Sequence, residues 1–255
     1  MEKDEIYDVL NRAYFSEEPH EKAVVQHLPA LLRDGQLIVD VGASLGQYTR
    51  AMCLAVRHSD IYAIEADPVR IEQLEQNCER WANESENSVT AMHLAVTDRS
   101  GEMPYFVTNS DISGGLTKHD TPRPVEWREI AVPSSTLDEL FGSRVPDFIK
   151  IDVEGAELSV LRGAQRILNH GSTIFLIELH DWPSGADTSS EVTALMQRAG
   201  YLRGSFYGQP IFVTSRGLWL RLAARELRHE PYQTLRRWRG AWKTRRSRNG
   251  SSPPA

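Results

Sequence analysis

Apolar residues along this chain fall into two rhythms. Short, nearly continuous apolar runs alternate with stretches in which apolar positions recur every three or four residues. The first pattern reads as buried strand and the second as amphipathic helix. Helical periodicity covers residues 3–33, interrupted by "SEEPHE" around Pro19. The order then runs "GQLIVDVGA" strand, "GQYTRAMCLAVRH" helix, "DIYAIEAD" strand and "PVRIEQLEQNCERWANE" helix. In that last helix Ile71, Leu74 and Cys78 share a face, and Pro68 suits the first turn. "SVTAMHLAVTD" reads as one strand, residues 101–133 as short strands and loops, and "STLDELFG" as a short helix capped by Ser135 or Thr136. "PDFIKIDVEG" is a strand, "AELSVLRGAQRILNHG" one helix ending at Gly171, and "STIFLIELHD" a strand. "SSEVTALMQRAG" is a helix ending at Gly200, and "YLRGSFYGQPIFVTS" a closing antiparallel hairpin.

Strands alternating with helices of about a dozen residues predict a mostly parallel sheet with both faces covered. No internal repeat is present. With 255 residues and 40% hydrophobic content, the chain can bury one substantial core plus an appendage. No apolar run approaches the roughly 20 residues that span a bilayer. The acidic, mixed start "MEKDEIYDVLNRAYF" is unlike a signal peptide, and the expected location is cytoplasmic. Cys53 and Cys78 lack metal-ligand spacing and read as reduced thiols on helices.

The net charge of -6 hides an asymmetry. Residues 216–255 hold eleven Lys or Arg against two Glu, a net +9, and the remaining 18 basic and 33 acidic residues give -15. The expected organisation is therefore an N-terminal helical segment over 1–34, an α/β domain over 35–215 and a basic tail over 216–255. Within 216–248, Leu235, Trp238 and Trp242 fall at helical spacing among Arg236, Arg237, Arg239, Lys243, Arg245 and Arg246. Pro231 divides the tail into two helices, and "NGSSPPA" is expected to be disordered. Such a helix could lie on an anionic membrane surface, at the inner face of the membrane, or contact nucleic-acid phosphates. The plainer alternative is a helix docked on the sheet edge with a solvated basic face.

Candidate chemistry begins where the first strand ends. The loop Gly42-Ala43-Ser44-Leu45-Gly46 has neither the GK[ST] ending of a triphosphate cradle nor the GxGxxG spacing of a dinucleotide fingerprint. In open parallel sheets ligands bind outside the carboxyl ends of the strands. There Asp40 would repel a pyrophosphate and attract a cation, and Glu65, ending the next strand, can take both hydroxyls of a ribose. A ribose, a positive end and no phosphate describe S-adenosylmethionine.

"VDVGASLGQYT", "IEADP", "LAVTDRSG", "STLDEL" and "FIKIDVEGAELSVLRGA" occur in that order. Together they resemble the FkbM-type family of S-adenosylmethionine-dependent methyltransferases over residues 35–180, with "KIDVEGAE" the most specific part. The resemblance implies a class I methyltransferase, Rossmann-like fold: a mostly parallel seven-stranded sheet with helices on both faces. It implies methyl transfer to a hydroxyl oxygen, often of a sugar or natural product. It places the cofactor on Asp40, Gly42, Ala43, Gly46 and Tyr48 or Thr49, with Glu65 and its neighbour Ala66 at the ribose and Ala95 and Val96 near the adenine. Asp67 departs from "E-P-x-P"-like versions of the motif.

Methyl transfer from a sulfonium requires an aligned acceptor and removal of its proton, so a carboxylate or histidine is needed within hydrogen-bond reach. Alternation along "KIDVE" puts Lys150, Asp152 and Glu154 on one face, with Lys150 expected to pair with Glu178 on the neighbouring strand. That strand also brings His180 and Asp181 to the same edge. Asp152 or His180 is the expected base, and Lys150, Glu154 and Glu178 complete the catalytic group. Asp152, Glu178 and His180 could instead hold a divalent metal, although no tight ligand spacing supports one. In the long 101–133 segment, Ser113, Gly114 and Gly115 could close over the cofactor with His119 facing substrate.

The leading expectation is an O-methyltransferase acting on a small-molecule or glycan acceptor bearing a sugar hydroxyl. The alternatives are an RNA methyltransferase using the basic tail, disfavoured by the acidic body, and a binding subunit that has lost catalysis.

Overall fold

The computed structural model describes residues 19–108, 114–116, 118, 125–181 and 187–229. Residues 1–18 and 230–255, and with them the start of the N-terminal helices and Pro231, Leu235, Trp238 and Trp242 of the tail, lie outside the described residues. The chain opens with α1 (Pro19–His27) and a 3-10 turn (Leu28–Ala30). Next come β1 (Leu37–Val41), α2 (Gln47–Ala55), β2 (Asp60–Glu65), α3 (Pro68–Glu84), β3 (Ser88–His93) and β4 (Ala95–Val96). β5 (Gly101–Thr108) and β6 (Trp127–Ser135) precede α4 (Leu137–Phe141), β7 (Phe148–Ile151), α5 (Glu157–Arg162) and α6 (Gln165–His170). The remainder is β8 (Ile174–Ile177), α7 (Thr188–Arg198), β9 (Leu202–Phe206), β10 (Gln209–Val213) and α8 (Arg216–His229).

Seven strands form one sheet in the order β3-β2-β1-β7-β8-β10-β9, parallel except for β10. Chain order reverses beside β1, where β2 lies on one side and β7 on the other, and this opens a crevice at their carboxyl ends. Ile38, Ile61, Phe148 and Leu176 face one core with α1, α2, α3 and α8, while Val39, Ile149, Ile151 and Phe175 face another with α4 to α7. β9 and β10 join through Tyr207 and Gly208, both at positive φ (52° and 95°), as a two-residue hairpin turn requires.

Local signals explain most element ends. Pro68 starts α3 with Asp67 as its cap, the Asp67 side chain accepting from the Val69 N–H. Asp67 thereby acquires a definite structural role. Thr136, rather than Ser135, caps α4 by accepting from the Glu139 N–H.

Three segments differ from the sequence expectation. "SVTAMHLAVTD" divides at Leu94 into β3 of the large sheet and β4 of a separate three-stranded sheet ordered β4-β6-β5. Residues 101–133 supply not short fragments but the eight-residue β5 and most of β6, a long antiparallel pair. The helix after β7 divides at Gly163 and Ala164 into α5 and α6, and Gly163 packs so closely that a Cβ there would lie 2.1 Å from the Thr97 carbonyl oxygen.

Among the described residues no helix is long and apolar enough to cross a membrane. The described part of the basic tail is docked: Leu222 is buried, the Trp219 indole donates to the Arg203 carbonyl, and Arg225 donates to the Tyr207 hydroxyl.

Gly42 is the tightest point of the floor. Its φ is +78°, and a Cβ there would stand 1.7 Å from the Asp152 carbonyl oxygen. Gly42→Ala should therefore cost about 2–3 kcal/mol from backbone strain and overpacking, read as a lower urea midpoint at unchanged m-value.

Candidate cofactor cleft and acidic edge

A cleft opens where β1, β2 and β7 end. Val41, Gly42, Ser44, Ile64, Glu65 and Ala66 line its floor side, Asp152, Val153 and Glu154 its far end, and Leu94, Ala95 and Val96 one wall. The small sheet roofs it: Tyr105 from β5 lines the cleft together with Gly114, Gly115 and Leu116, which lie along β5 through paired Phe106–Gly115 backbone hydrogen bonds. Gly114 must be glycine here, since a Cβ would meet the Tyr105 ring at 2.7 Å and the Phe106 carbonyl at 2.8 Å. Ser113 and His119, expected to join this lid, lie outside the described residues.

The loop after β1 is not built for phosphate. The Gly42 and Ala43 N–H groups both donate to the Ile64 carbonyl, Gly46 N–H to Ala43, and Ser44 N–H to the Glu65 carboxylate. The donors that would cradle a phosphate are committed within the protein. Glu65 itself is rigidly presented: one carboxylate oxygen accepts from Ser44 at 2.7 Å and the other from the Asp67 N–H at 2.8 Å. Burial raises its pKa, with those backbone hydrogen bonds opposing the rise. Each oxygen retains a lone pair for a ribose hydroxyl. Ser44 adopts φ +53° to aim its N–H at Glu65, and Arg70 holds its hydroxyl at 2.7 Å.

Not every residue expected at the cofactor reaches this cleft. Gly42, Glu65, Ala66, Ala95 and Val96 line it; Asp40, Ala43, Gly46, Tyr48 and Thr49 do not. The reasons are steric. Asp40 shares a sheet face with Ile38, is fully buried beneath α2, and accepts from the Thr49 hydroxyl at 2.7 Å. Gly46 starts α2 at φ +91° and leaves space for Trp81 and Leu74, which a Cβ would meet at 2.7–2.8 Å. Its lack of a side chain makes room for that packing.

Lys150 is 2% exposed and lies beside Asp40 in the β1–β7 register. The expected partner, Glu178, is not the main one. Lys150 Nζ donates to Asp152 Oδ2 at 2.9 Å, stands 4.0 Å from Asp40 Oδ1, and lies 4.2 Å over the Tyr48 ring. β7 ends at Ile151, and Asp152, on the same face as Lys150 by alternation, is its hydrogen-bond partner in place of Glu178. Burial opposes the ammonium, but Asp152 and Asp40 outweigh it and hold Lys150 above the ordinary lysine range.

His180 forms the centre of the edge. Its Nδ1 is 2.8 Å from Glu157 Oε1, and its Nε2 is 3.7 Å from Glu154, 4.0 Å from Asp152 and 4.0 Å from Glu178. Burial opposes its charge, but the Glu157 hydrogen bond and the surrounding carboxylates win and raise it to about 9. Burial and the Asp152 charge push Glu178 up to about 7, and burial raises Glu154 as well. Asp181 is committed elsewhere, accepting from the Ser189 N–H and hydroxyl in the first turn of α7, whose cap is Asp187. Among the described residues no group of three or more such side chains is arranged to hold a metal ion.

Three contributors have no clear mark in the sequence. Glu157 is wholly buried in the first turn of α5, where it accepts from Gly155 N–H and from His180. The acid in "GAE" could have signalled it, opening a helix on the apolar face. Arg70 and Tyr105 carry no such signal. Tyr105→Ala should weaken binding of S-adenosylhomocysteine about tenfold by removing buried ring area from the roof. Isothermal calorimetry checks this, with Tyr105→Phe retaining most of the affinity.

The residues fit S-adenosylmethionine: Glu65 would take the ribose hydroxyls, Leu94, Ala95, Val96 and Leu116 offer an apolar slot for a base, and Asp152 and Glu154 face a positive end. When bound, that cofactor supplies an electrophilic methyl group.

Hexuronic acid methyltransferase AglP of Haloferax volcanii is 25% identical over 179 residues, covering 70% of this chain and 69% of that protein. Methyltransferase sdnD of Sordaria araneosa is 25% identical over 202 residues, covering 68% of this chain and 76% of that protein. The crystal structure of methyltransferase FkbM from Methylobacillus flagellatus superposes with a TM-score of 0.52 at 15% identity. That match covers 83% of this chain but 50% of the other, so the chain spans half the length of that protein and the likeness is one of fold. The family model described as the methyltransferase FkbM domain matches residues 40–203, from the buried acid of β1 to the start of the closing hairpin. The chain belongs to the FkbM methyltransferase family and is an S-adenosylmethionine-dependent methyltransferase.

Proposed function

We propose that this enzyme methylates a hydroxyl oxygen of a sugar, glycan or glycosylated metabolite. One observation carries the reading: Asp152 and Glu154 line the cofactor cleft and adjoin Glu178 and His180, so proton acceptors stand where an acceptor would meet the methyl group. An aliphatic hydroxyl is a poor nucleophile until its proton is removed, and a base titrating near the working pH removes it best. Glu178, at about 7, meets that condition. His180, at about 9, keeps its proton at neutral pH and acts as a cation among the carboxylates rather than as the base. Asp152, fixed by Lys150, aligns the hydroxyl. A hexuronic acid methyltransferase among the relatives supports a carbohydrate acceptor.

The test is transfer from methyl-labelled cofactor by the full chain to panels of glycosides, glycolipids and RNA, with products read by mass spectrometry. The expected product is a sugar one CH₂ heavier whose label survives alkali, as an ether does and a methyl ester does not. Labelling of RNA without labelling of any glycan would overturn the reading.

A further inference from the structure

The edge where β7 and β8 end is short of positive charge. Five carboxylates gather there, Asp40, Asp152, Glu154, Glu157 and Glu178, and the cations that the ion pairs place among them are Lys150 and His180. Lys150 is occupied by Asp152 and Asp40 below the surface, and the Nδ1 side of His180 by Glu157. Glu21 of α1 adds negative potential at Glu178, and Arg70 reaches Glu154 only as its weakest influence.

A second, independent observation points the same way. Glu157 Oε2 and Gln209 Oε1 are buried acceptor atoms without a hydrogen-bond partner, and Asp40 Oδ1 has only the Lys150 ammonium at 4.0 Å. All three belong to this group of side chains, Gln209 being 4% exposed and joined to Glu178 through its Nε2 at 3.2 Å. Buried acceptors without donors are costly, and their clustering marks a place that favours positive charge.

The cleft leads directly to this edge. A nucleoside seated on Glu65 turns its other end toward Asp152 and Glu154. The methyl donor and its product differ there by one unit of charge, a sulfonium against a neutral thioether. We propose that Glu154 and Glu178 are specificity-determining residues for that charge, so that the enzyme holds the cationic donor more tightly than its own neutral product. The proposal rests on the methyltransferase reading of the cleft. As the C–O bond forms and the C–S bond breaks, the sulfur regains its lone pair and the acceptor proton passes to Glu178. The edge then faces one positive charge before the step and holds one proton after it. Coulomb energies between partly buried charges a few ångströms apart are large enough to separate the two ligands.

Calorimetric binding of three ligands to the full chain tests this: S-adenosylmethionine, sinefungin (in which a carbon-bound amine replaces the methylsulfonium) and S-adenosylhomocysteine. The expected result is a threefold or greater preference for the two cationic ligands, falling toward parity in Glu154→Gln and Glu178→Gln. The surface variant Glu86→Gln, 57% exposed, should leave the preference unchanged. A wild-type preference below threefold overturns the proposal even if both variants misfold, and so does a preference that survives both substitutions. Binding of none of the three brings down the assignment of the cleft, and the proposal with it.

Discussion

Replacing Lys150 with methionine is expected to lower stability by about 3–5 kcal/mol, the cost of removing one partner from a buried ion pair. The side chain is 2% exposed, and methionine fills most of its volume, so lost packing is a minor part of the effect. The main effect falls on what remains. Asp40 is fully buried, and without Lys150 its carboxylate would keep only the Thr49 hydroxyl at 2.7 Å. Burial already raises the Asp40 pKa and Lys150 is the strongest influence opposing it, so the variant should protonate Asp40 well above the ordinary carboxylate range. A group whose folded pKa is raised favours the fold at low pH and loses that contribution as pH rises. Urea denaturation should therefore show a smaller loss near pH 5 than near pH 8. Lys150→Met combined with Asp40→Asn should recover part of it, because the two side chains interact directly and their effects are not additive. A loss under about 1 kcal/mol at pH 8, for a cost this principle sets several-fold higher, would show that the pair does not hold β1 to β7.

Glu178→Gln is expected to reduce kcat by about 10²–10⁴, the usual range for removal of a general base. In the wild type, kcat/KM should rise with pH and level off above about 7, because Glu178 must be ionised to accept the proton and its pKa lies there. Glutamine keeps the shape and can still accept from Gln209, so circular dichroism and the melting temperature should change little. The discriminating readout is the pH limb, which should disappear in the variant. A limb that persists at the same midpoint would remove Glu178 from the base role.

Much of the fold was legible because burial on both faces leaves a simple mark. β1, β2, β7 and β8 show it as apolar runs, and Pro68 announced α3 to the residue. What could not be read depended on distant partners. Nothing within "AELSVLRGAQRILNHG" reveals that the Thr97 carbonyl occupies the space beside Gly163, where the helix divides. Leu94 looks like any strand residue, yet the chain changes sheets there. Pro104 and Pro133 disguised β5 and β6, since proline inside a strand argues against strand.

The site divides along the same line. Glu65 was found from its place at a strand end and Gly42 through the family resemblance, and both line the cleft. Asp40, Tyr48 and Thr49 fall in the same motif but turn to the other side of the sheet, and strict alternation from Ile38 would have placed Asp40 there. Tyr105 reaches the cleft from a strand about forty residues beyond Glu65, too far for any local pattern to connect them.

The roof of the cleft shares no ladder with its floor: β4, β5 and β6 form their own sheet, while Glu65, Asp152 and Glu178 are carried by the larger one. Side chains that press on the nucleoside from above can thus be exchanged without breaking any strand pairing beneath them, so the grip on the cofactor is tunable apart from the acids that face its reactive end.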